Sequence, residues 1–468
     1  MKFSVLLPTR NRLKYLKYAV ASVLAQNYDQ WEIIISDNDS EDNIAQYIES
    51  LNDARIKYFR TEKFVSVTEN WNNALSYSSG EYVIMLGDDD ILLRDYFSTM
   101  IGLLQKFNQP SVIYANAYIY AYPGVIRNKP EGLLQTCRHY DVFNNATEPF
   151  WLTKKMAMHL VTGHLNFNAY FGTNMQFVLV KQSLIQKLKV RGQFFHAPYP
   201  DVYAMNLLML EADEVLVYPD EAVVIGVTPK STGNFLVNNN ENKGMDFLNI
   251  SDELASIKEL SSKILPGSPN LTCWLISMET VRLYFEKKFD LKVHYRRYRF
   301  LQIEQMIKGF FLEKKATTKN ELFSLFKQNH LSEKIIYFIP LFFIHFIKKF
   351  FPSFIKKWFY PMYSRMYALS KIKGSGIIEK KFLNVLEIFE NHENGKIYSN
   401  DQIDNILNEN RSEKDINEVC KTHGISQATF HRWKSKRDSS ISEQIRMLKT
   451  QIDALQELTL SMSLKETK

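Results

Sequence analysis

The sequence has too few cysteines for a disulfide-stabilised fold. Its three cysteines, Cys137, Cys273 and Cys420, are odd in number and lie far apart along 468 residues. Structural zinc sites use ligands at short paired spacings, which these positions lack. We therefore exclude a small secreted disulfide scaffold and expect a protein of a reducing compartment.

A signal peptide and a long apolar segment are also missing. The N-terminus reads MKFSVLLPTRNR, in which a short apolar run ends at Pro8 without the cleavage site of a signal peptide. The most apolar stretch, residues 335–347, contains Pro340 and is well short of the roughly 20 residues that span a bilayer. The sequence therefore predicts a cytoplasmic protein without a membrane-spanning helix.

Acidic residues are absent from one region. From Ile335 to Gly374 there are seven lysines and arginines and no Asp or Glu, which accounts for the net charge of +7 of the whole chain. The basic residues alternate with Phe, Trp and Tyr, as is typical of a helix lying in the headgroup plane of an anionic membrane. A core helix with a basic rim is the alternative. We expect peripheral attachment at the inner face of the cytoplasmic membrane.

The N-terminal part of the chain alternates between strand and helix patterns. Apolar runs at residues 3–7, 31–35, 56–59 and 82–86 predict buried strands, and apolar residues at helical spacing fill residues 13–24 between the first two. This order predicts an α/β fold with an open, mostly parallel sheet and helices on both faces. Sheets of this kind bind ligands at the carboxyl ends of their strands.

The most acidic of these strand ends is Asp88-Asp89-Asp90. Three adjacent carboxylates repel one another unless they share a cation, and hard oxygen ligands favour Mg²⁺ or Mn²⁺. The alternative is a solvated acidic turn that caps a helix starting at Ile91.

Together, the strand-end loops and their order resemble family 2 glycosyltransferases, which have the GT-A fold. The matching segments are VLLPTRNR, AVASVLAQNYDQWEIII, SDNDSED and ENWNNALSYSSGEYVIMLGDDDIL. The resemblance implies an inverting transfer of a sugar from a nucleoside diphosphate to a glycan or lipid-linked acceptor, as in bacterial surface polysaccharide synthesis. It also implies a divalent cation that bridges the diphosphate to an aspartate.

The resemblance assigns roles to individual residues. Asp89 is the leading metal ligand, Asp90 is a second candidate for the metal, and Asp88 faces the ribose or the phosphates. The nucleoside is expected to lie beside two loops, through Thr9 and Arg10 of the first and Asp37 and Asn38 of the second. Many members have Asp at the position of Asn38 and another Asp at that of Gly87, so a uridine donor is favoured while the base stays open.

Two further candidates lie downstream. Asp201 follows Pro200 before an apolar helical run and is the candidate general base, which removes the proton of the acceptor hydroxyl; an ordinary helix N-cap is the alternative. Lys230, in the segment GVTPKSTG, is a candidate for contact with the diphosphate, with a plain turn as the alternative.

The C-terminal region resembles the helix-turn-helix of insertion-sequence transposase DNA-binding subunits. Two short helices are predicted around Gly424-Ile425-Ser426, with a small core of Ile416, Val419, Ile425, Phe430 and Trp433. The resemblance implies that the second helix presents Gln427, Thr429, His431, Arg432 and Lys434 to DNA. A following heptad pattern predicts a coiled coil and a homo-oligomer. We favour a multimerising tail, and a transposon-derived DNA-binding protein is the alternative function.

The predicted organisation has six segments. In chain order they are a GT-A domain at 1–235, a helical extension at 236–334, a basic-aromatic membrane-surface segment at 335–373, a linker and helix at 374–411, a helix-turn-helix at 412–437 and a coiled coil at 438–463.

Overall fold

The computed structural model describes residues 1–231, 260, 263–311, 317–350, 376–378, 380–393, 395–409 and 415–439, apart from positions 128 and 197. The chain divides into two compact units, Met1–Phe389 and Glu390–Lys468. Each unit is described by itself below.

The first unit is built on one mixed sheet. Its strands are β1 Phe3–Thr9, β2 Trp31–Asp37, β3 Ile56–Arg60, β4 Tyr82–Met85, β5 Ile91–Leu92, β6 Val112–Ala121, β7 Leu133–Thr136, β8 Phe150–Trp151, β9 Val178–Lys181, β10 Val215–Val227 and β11 Gly376–Ile378. The main path runs β11-β7-β6-β9-β4-β1-β2-β3, and β10 pairs with β6, β5 and β8. The strands β4-β1-β2-β3 are parallel, as are β6 and β10, whereas β9 is antiparallel to both of its neighbours. The predicted α/β class with a mostly parallel sheet is confirmed.

Strand β1 extends farther than expected. We predicted that Pro8 ends it, but the strand continues to Thr9, which pairs with Asp37. On its other side β1 pairs with β4 only as far as Leu6. Pro8 therefore lies where one side of the strand has no ladder partner, so its missing N–H costs no hydrogen bond there.

Helices connect and flank these strands. They are α1 Leu13–Leu24, α2 Ile44–Leu51, α3 Val67–Ser76, α4 Tyr96–Lys106, α5 Lys154–Leu165, α6 Gln182–Leu188, α7 Pro200–Glu211, α8 Pro269–Phe285, α9 Tyr295–Phe311, α10 Lys319–Gln328, α11 Ile339–Phe350 and α12 Val385–Glu390. Helix α3 begins with a capping box between Ser66 and Glu69, which satisfies its first free amides.

The expectation that a helix starts at Ile91 was wrong. Ile91 and Leu92 are buried and form β5, which is antiparallel to Val223 and Val224 of β10. The next helix, α4, begins at Tyr96. The acidic run before β5 therefore leads into the sheet, and it is buried rather than solvated.

Helix α11 has two unlike faces. Leu341, Ile344 and Ile347 are buried, and Leu341 belongs to a small core shared with α9 and α10. A stripe of large apolar side chains is exposed, comprising Ile339, Phe343, Phe346 and Phe350 of α11 and Ile335 of the turn before it. Among the described residues, no helix is long and apolar enough to cross a membrane. The remainder of the predicted membrane-surface segment, residues 351–373, lies outside the described residues.

Part of the segment predicted as a linker, 374–411, belongs to the sheet of the first unit. Residues Gly376–Ile378 form β11, antiparallel to β7, and the Tyr120 hydroxyl donates to the backbone carbonyl of Phe382. The apolar pair Ile377-Ile378 completes an edge of the sheet, which the polar composition around it had obscured.

The second unit contains the predicted helix-turn-helix. A short hairpin, β12 His392–Glu393 with β13 Lys396–Ile397, precedes α13 Asn400–Glu409, α14 Ile416–His423 and helical residues 427–439. Gly424 ends α14 in the left-handed conformation, with a φ of 65°. Four of the predicted core residues are buried and Ile416 packs against them. Most of the predicted coiled coil at 438–463 lies outside the described residues.

Candidate active site

A cleft of about 490 Å³ opens at the carboxyl ends of β1 and β4. The predicted site residues that line it are Thr9, Arg10, Asn38, Asp88, Asp89, Asp90 and Asp201. The acidic run forms a tight turn, in which the Asp90 amide donates to the Gly87 carbonyl at 3.1 Å. The sheet therefore brings residues from three loops and from helix α7 to one place.

Arg12 is the main residue of the site that the sequence interpretation did not assign. Its guanidinium pairs with Asp88 at 2.8 Å and with Asp89 at 2.5 Å. It also donates to the hydroxyls of Thr228, at 2.6 Å, and Ser231, at 3.1 Å. Burial alone would lower the pKa of Arg12, but the two carboxylates raise it, so the side chain stays charged.

Asp88 is held by the loop after β1. The Thr9 hydroxyl donates to Asp88 Oδ2 at 2.8 Å, while Arg12 takes the other oxygen. Burial raises the pKa of Asp88 to about 6, and the charge of Arg12 opposes this rise. The predicted proximity of Thr9 to the acidic run is therefore present in the structure.

Asp90 has a different role from its two neighbours. Its carboxylate accepts the amides of Gly87, at 2.9 Å, and Gly226, at 2.7 Å, together with the side chain of Gln176 at 2.6 Å. Burial and the charge of Asp89 raise the pKa of Asp90 well above its ordinary value. With these contacts Asp90 holds the turn against β10. Both of its oxygens already accept hydrogen bonds, which does not support the prediction that Asp90 is a second metal ligand.

The glycine at position 87 follows from the position of Asp90. A Cβ on Gly87 would lie 2.4 Å from Asp90 Oδ2, so any larger residue here would displace the Asp90 carboxylate. Glycine at this position is therefore compatible with the hydrogen bonds that Asp90 makes.

The loop after β2 is stabilised by its own hydrogen bonds. Asp37 is fully buried and accepts from the Tyr58 hydroxyl at 2.6 Å. Asn38 exchanges two hydrogen bonds of 2.9 Å with the backbone of Val65. Arg10 donates to the carbonyls of Asn38, at 2.5 Å, and Asp39, at 3.0 Å. Asn38 and Arg10 line the cleft, while Asp37 supports this loop from behind it.

Asp201 lies on the opposite wall of the cleft. It is the second residue of α7, and Tyr199 is the N-cap, so the simple N-cap alternative is wrong. Its carboxylate still accepts a first-turn amide, that of Val202, at 2.8 Å. Burial raises the pKa of Asp201 to about 6, which suits a group that must accept a proton near neutral pH.

Two further residues of this wall were not predicted. His164 is fully buried, and its Nδ1 lies 3.0 Å from the side-chain nitrogen of Asn206 on α7. Burial lowers the pKa of His164 to about 4, so the ring is neutral. Trp274 of α8 lines the same side of the cleft and meets the His164 ring edge to face. The helical extension therefore contributes to the site.

The loop after β10 meets the acidic turn, although not through Lys230. Lys230 is exposed and donates to the Asn11 carbonyl at 3.0 Å. Instead, the hydroxyls of Thr228 and Ser231 donate to Asp89 Oδ2. The predicted loop is at the site, but its small hydroxyl residues make the contact.

The residues fit a divalent cation in one limited way. Among the described residues, no group of three or more His, Cys, Asp or Glu side chains is arranged to hold a metal. Asp89 Oδ2 is taken by Arg12, Thr228 and Ser231, whereas no described residue donates to Asp89 Oδ1. Mg²⁺ is commonly held by one or two carboxylates together with substrate phosphates. Asp89 can serve as such a ligand.

The candidate DNA-facing residues of the second unit divide into two groups. Thr429 is 1% exposed and bonds to Ser426, so its predicted contact with DNA is wrong. Arg432 donates to Thr429 at 3.2 Å and to the Glu390 carbonyl at 3.3 Å. Gln427 is bonded to Asn417. His431 and Lys434 are exposed, as a groove contact requires.

Comparison with known families agrees with this geometry. Residues 4–168 match the model described as glycosyl transferase family 2. This match lies within the first unit. Residues 394–460 match the model described as transposase, which coincides with the helix-turn-helix. Both resemblances seen in the sequence are confirmed.

Curated relatives share the glycosyltransferase region. A Campylobacter jejuni GalNAc(5)-diNAcBac-PP-undecaprenol beta-1,3-glucosyltransferase is 40% identical over 111 residues, which cover 23% of this chain and 35% of the relative. The Escherichia coli enzyme WfgD, a UDP-Glc:alpha-D-GlcNAc-diphosphoundecaprenol beta-1,3-glucosyltransferase, is 32% identical over 24% of this chain and 44% of the relative. The chain thus spans less than half of the length of these relatives.

Solved structures with similarity to the chain include Staphylococcus aureus TarS 1-349. The similarity to TarS has a TM-score of 0.38 and 15% identity, and it covers 74% of this chain and 90% of that structure.

Proposed function

We propose that this chain is an inverting glycosyltransferase that moves a sugar from a nucleoside diphosphate to a lipid-linked glycan in bacterial surface polysaccharide synthesis. The observation that carries the proposal is the cleft that Asp88, Asp89 and Asp201 line together. The printed activities of the two curated relatives, both of which name undecaprenol-linked acceptors, support the acceptor class. A uridine donor is favoured because one relative is named for UDP-Glc.

In the proposed mechanism each wall of the cleft has one task. Thr9, Arg10 and Asn38 position the nucleoside, and Asp88 orients the ribose or the phosphates. Asp89 holds a divalent cation, Mg²⁺ or Mn²⁺, which when bound supplies Lewis-acid stabilisation of the leaving diphosphate. Asp201 accepts the proton of the acceptor hydroxyl while the hydroxyl oxygen attacks the anomeric carbon, so the sugar is transferred with inversion. Lys230, which donates to the Asn11 carbonyl, is a further candidate for contact with the diphosphate.

A donor panel tests the activity. Hydrolysis or transfer from several sugar nucleotides is measured with Mn²⁺, with Mg²⁺ and after chelation, for the wild type and for Asp89→Asn. We expect the variant to lose about 100-fold or more, because the charge that holds the cation is gone. Asp290→Asn, at an exposed carboxylate away from the cleft, is the control. Turnover unchanged in Asp89→Asn would contradict the assignment.

We also propose that the enzyme works at the inner face of the cytoplasmic membrane. The exposed stripe on α11 supports this, since Ile339 and Phe343 are more than half exposed and Lys348 and Lys349 follow them. Apolar side chains beside lysines suit an anionic lipid surface.

Vesicle sedimentation tests the membrane proposal. The wild type should bind phosphatidylglycerol vesicles and bind phosphatidylcholine vesicles less. The double variant Ile339→Ser with Phe343→Ser should lose most of this binding because it removes apolar area from the stripe. Phe323→Ser changes an exposed residue of α10 and is the matched control. Equal binding by the double variant and the control would refute the membrane assignment.

DNA binding through the second unit is the second candidate function. The match of residues 394–460 to the transposase model favours it, and exposed His431 and Lys434 are its remaining contacts. We propose a homo-oligomer through residues 438–463 as the main task of this region. Salt-dependent binding of duplex DNA by the full chain, compared with Lys434→Ala, decides between them.

A further inference from the structure

Arg12 occupies the place between the two carboxylates on which the donor site depends. Its guanidinium joins Asp88 and Asp89 through contacts of 2.8 and 2.5 Å, and its side chain is only 7% exposed. One terminal nitrogen of the guanidinium contacts Asp88, and the other contacts Asp89. A planar fork of this kind fixes the relative geometry of two carboxylates, whereas a lysine ammonium is a point charge on a flexible stem.

The fork also leaves one polar group unsatisfied. Arg12 Nε is buried and has no acceptor among the described residues. A buried N–H without an acceptor is uncommon in native structures. This donor lies on a side chain that lines the cleft, so an incoming anionic oxygen would complete its hydrogen bonding.

The charges in the cleft decide which ions can enter together. Asp88 and Asp89 contribute two carboxylates, which face the single positive charge of Arg12. A divalent cation beside Asp89 would lie close to the guanidinium, and like charges repel strongly where water is excluded. A nucleoside diphosphate adds negative charge that can accommodate both cations.

We propose that Arg12 is a positioning residue that opposes cation binding at Asp89 until a nucleoside diphosphate enters, and then pairs with the diphosphate. Cation and nucleotide therefore bind cooperatively. The hydroxyls of Thr228 and Ser231 also donate to Asp89 Oδ2, so the carboxylate keeps these two hydrogen bonds when the guanidinium turns away. This inference rests on the proposed function and adds to it a binding order.

Mn²⁺ binding, followed by the electron paramagnetic resonance signal of the free ion, tests the inference with and without UDP. In the wild type, UDP should tighten Mn²⁺ binding about tenfold or more, within the usual range of coupling between sites. In Arg12→Gln, Mn²⁺ should bind more tightly without UDP, because the competing charge is gone, and UDP should add little. Its UDP affinity should fall.

Two variants keep the test decisive. Arg12→Lys retains the charge but cannot fork, so its coupling should lie between those of the wild type and Arg12→Gln. Arg55→Gln removes an arginine paired with Asp53 outside the cleft and should leave the coupling unchanged. Circular dichroism melting confirms that each variant is folded.

Equal Mn²⁺ affinity with and without UDP in the wild type would overturn the inference. It would also be overturned if UDP changed the Mn²⁺ affinity equally in the wild type, Arg12→Lys and Arg12→Gln. Donor turnover is measured separately. A wild type that turns over a donor without such coupling loses the binding order but keeps the proposed function.

Discussion

The acidic turn of the first unit and the second helix of the helix-turn-helix both carry polar residues predicted to bind a ligand, but they place them differently. In the turn, Asp88 and Asp89 are aimed into a cleft by the strand ends that carry them. In the helix, Thr429 and Arg432 bond within their own unit. Asp88 and Asp89 line the cleft even though Arg12 bonds them, whereas Thr429 is buried and Arg432 bonds to the backbone of its own unit. A resemblance to a binding motif therefore predicts the fold more reliably than it predicts which residues bind a ligand.

The largest expected effect comes from removing Asp201, the base proposed for the cleft. Asp201→Asn should lower transfer to the acceptor by about 10²–10⁴-fold, because the amide cannot accept the proton. Since burial raises the pKa of Asp201 to about 6, the wild-type rate should rise as the pH passes through 6 and level off above it. Rates from pH 5 to pH 8 check this. A wild-type rate that falls across this range would contradict the role of Asp201 as a base.

A smaller effect is expected from crowding the acidic turn without changing its charge. A Cβ on Gly226 would lie 2.0 Å from the carbonyl oxygen of Asp89, so Gly226→Ala must displace the turn. We expect a stability loss of about 1–3 kcal/mol, together with weaker donor binding. Thermal melting and donor affinity measure the two effects.

The control for this substitution is Gly102→Ala. Nothing lies within 4 Å of a Cβ there, and the residue is in the middle of α4, so alanine should stabilise the helix slightly. If both variants behave alike, the tight contact between Gly226 and Asp89 is not important for the site.

The smallest effect on transfer is expected from removing the second unit. A chain that ends at Phe389 should keep its donor turnover and show a lower mass in light scattering if the tail multimerises. A cut at residue 375 would instead remove β11 and the Phe382 carbonyl that accepts from Tyr120. Loss of turnover on removal of the second unit alone would contradict the separation of tasks.

The sequence predicted the first four strands and the edge of the sheet at which the site lies, because apolar runs and strand-end loops are local signals. It did not identify Arg12. The loop contains two arginines, and Asn11 between them has a φ of 53°, so the backbone turns left-handed there and sends Arg10 back toward Asn38 while Arg12 meets the aspartates. No local pattern shows which arginine turns inward.

Contacts over long sequence separations explain the remaining misses. Thr228 and Ser231 reach Asp89 because β10 pairs with β5, the strand that follows the acidic turn. The three aspartates look alike in sequence, and Asp90 differs from its neighbours because the amide of Gly226 and the side chain of Gln176 meet it. Such distinctions depend on strand order, which periodicity does not determine.

The chain returns to the sheet at Gly376, so residues 351–375 are joined at both ends to the first unit. Helix α11 ends at Phe350 and β11 begins at Gly376, and both belong to the unit that carries the cleft. A stretch tethered at both ends can extend no farther than about 3.3–3.6 Å per residue from its anchors. Under the proposed function, a lipid surface bound by this unit is held within reach of the cleft, where its acceptors have a high effective concentration.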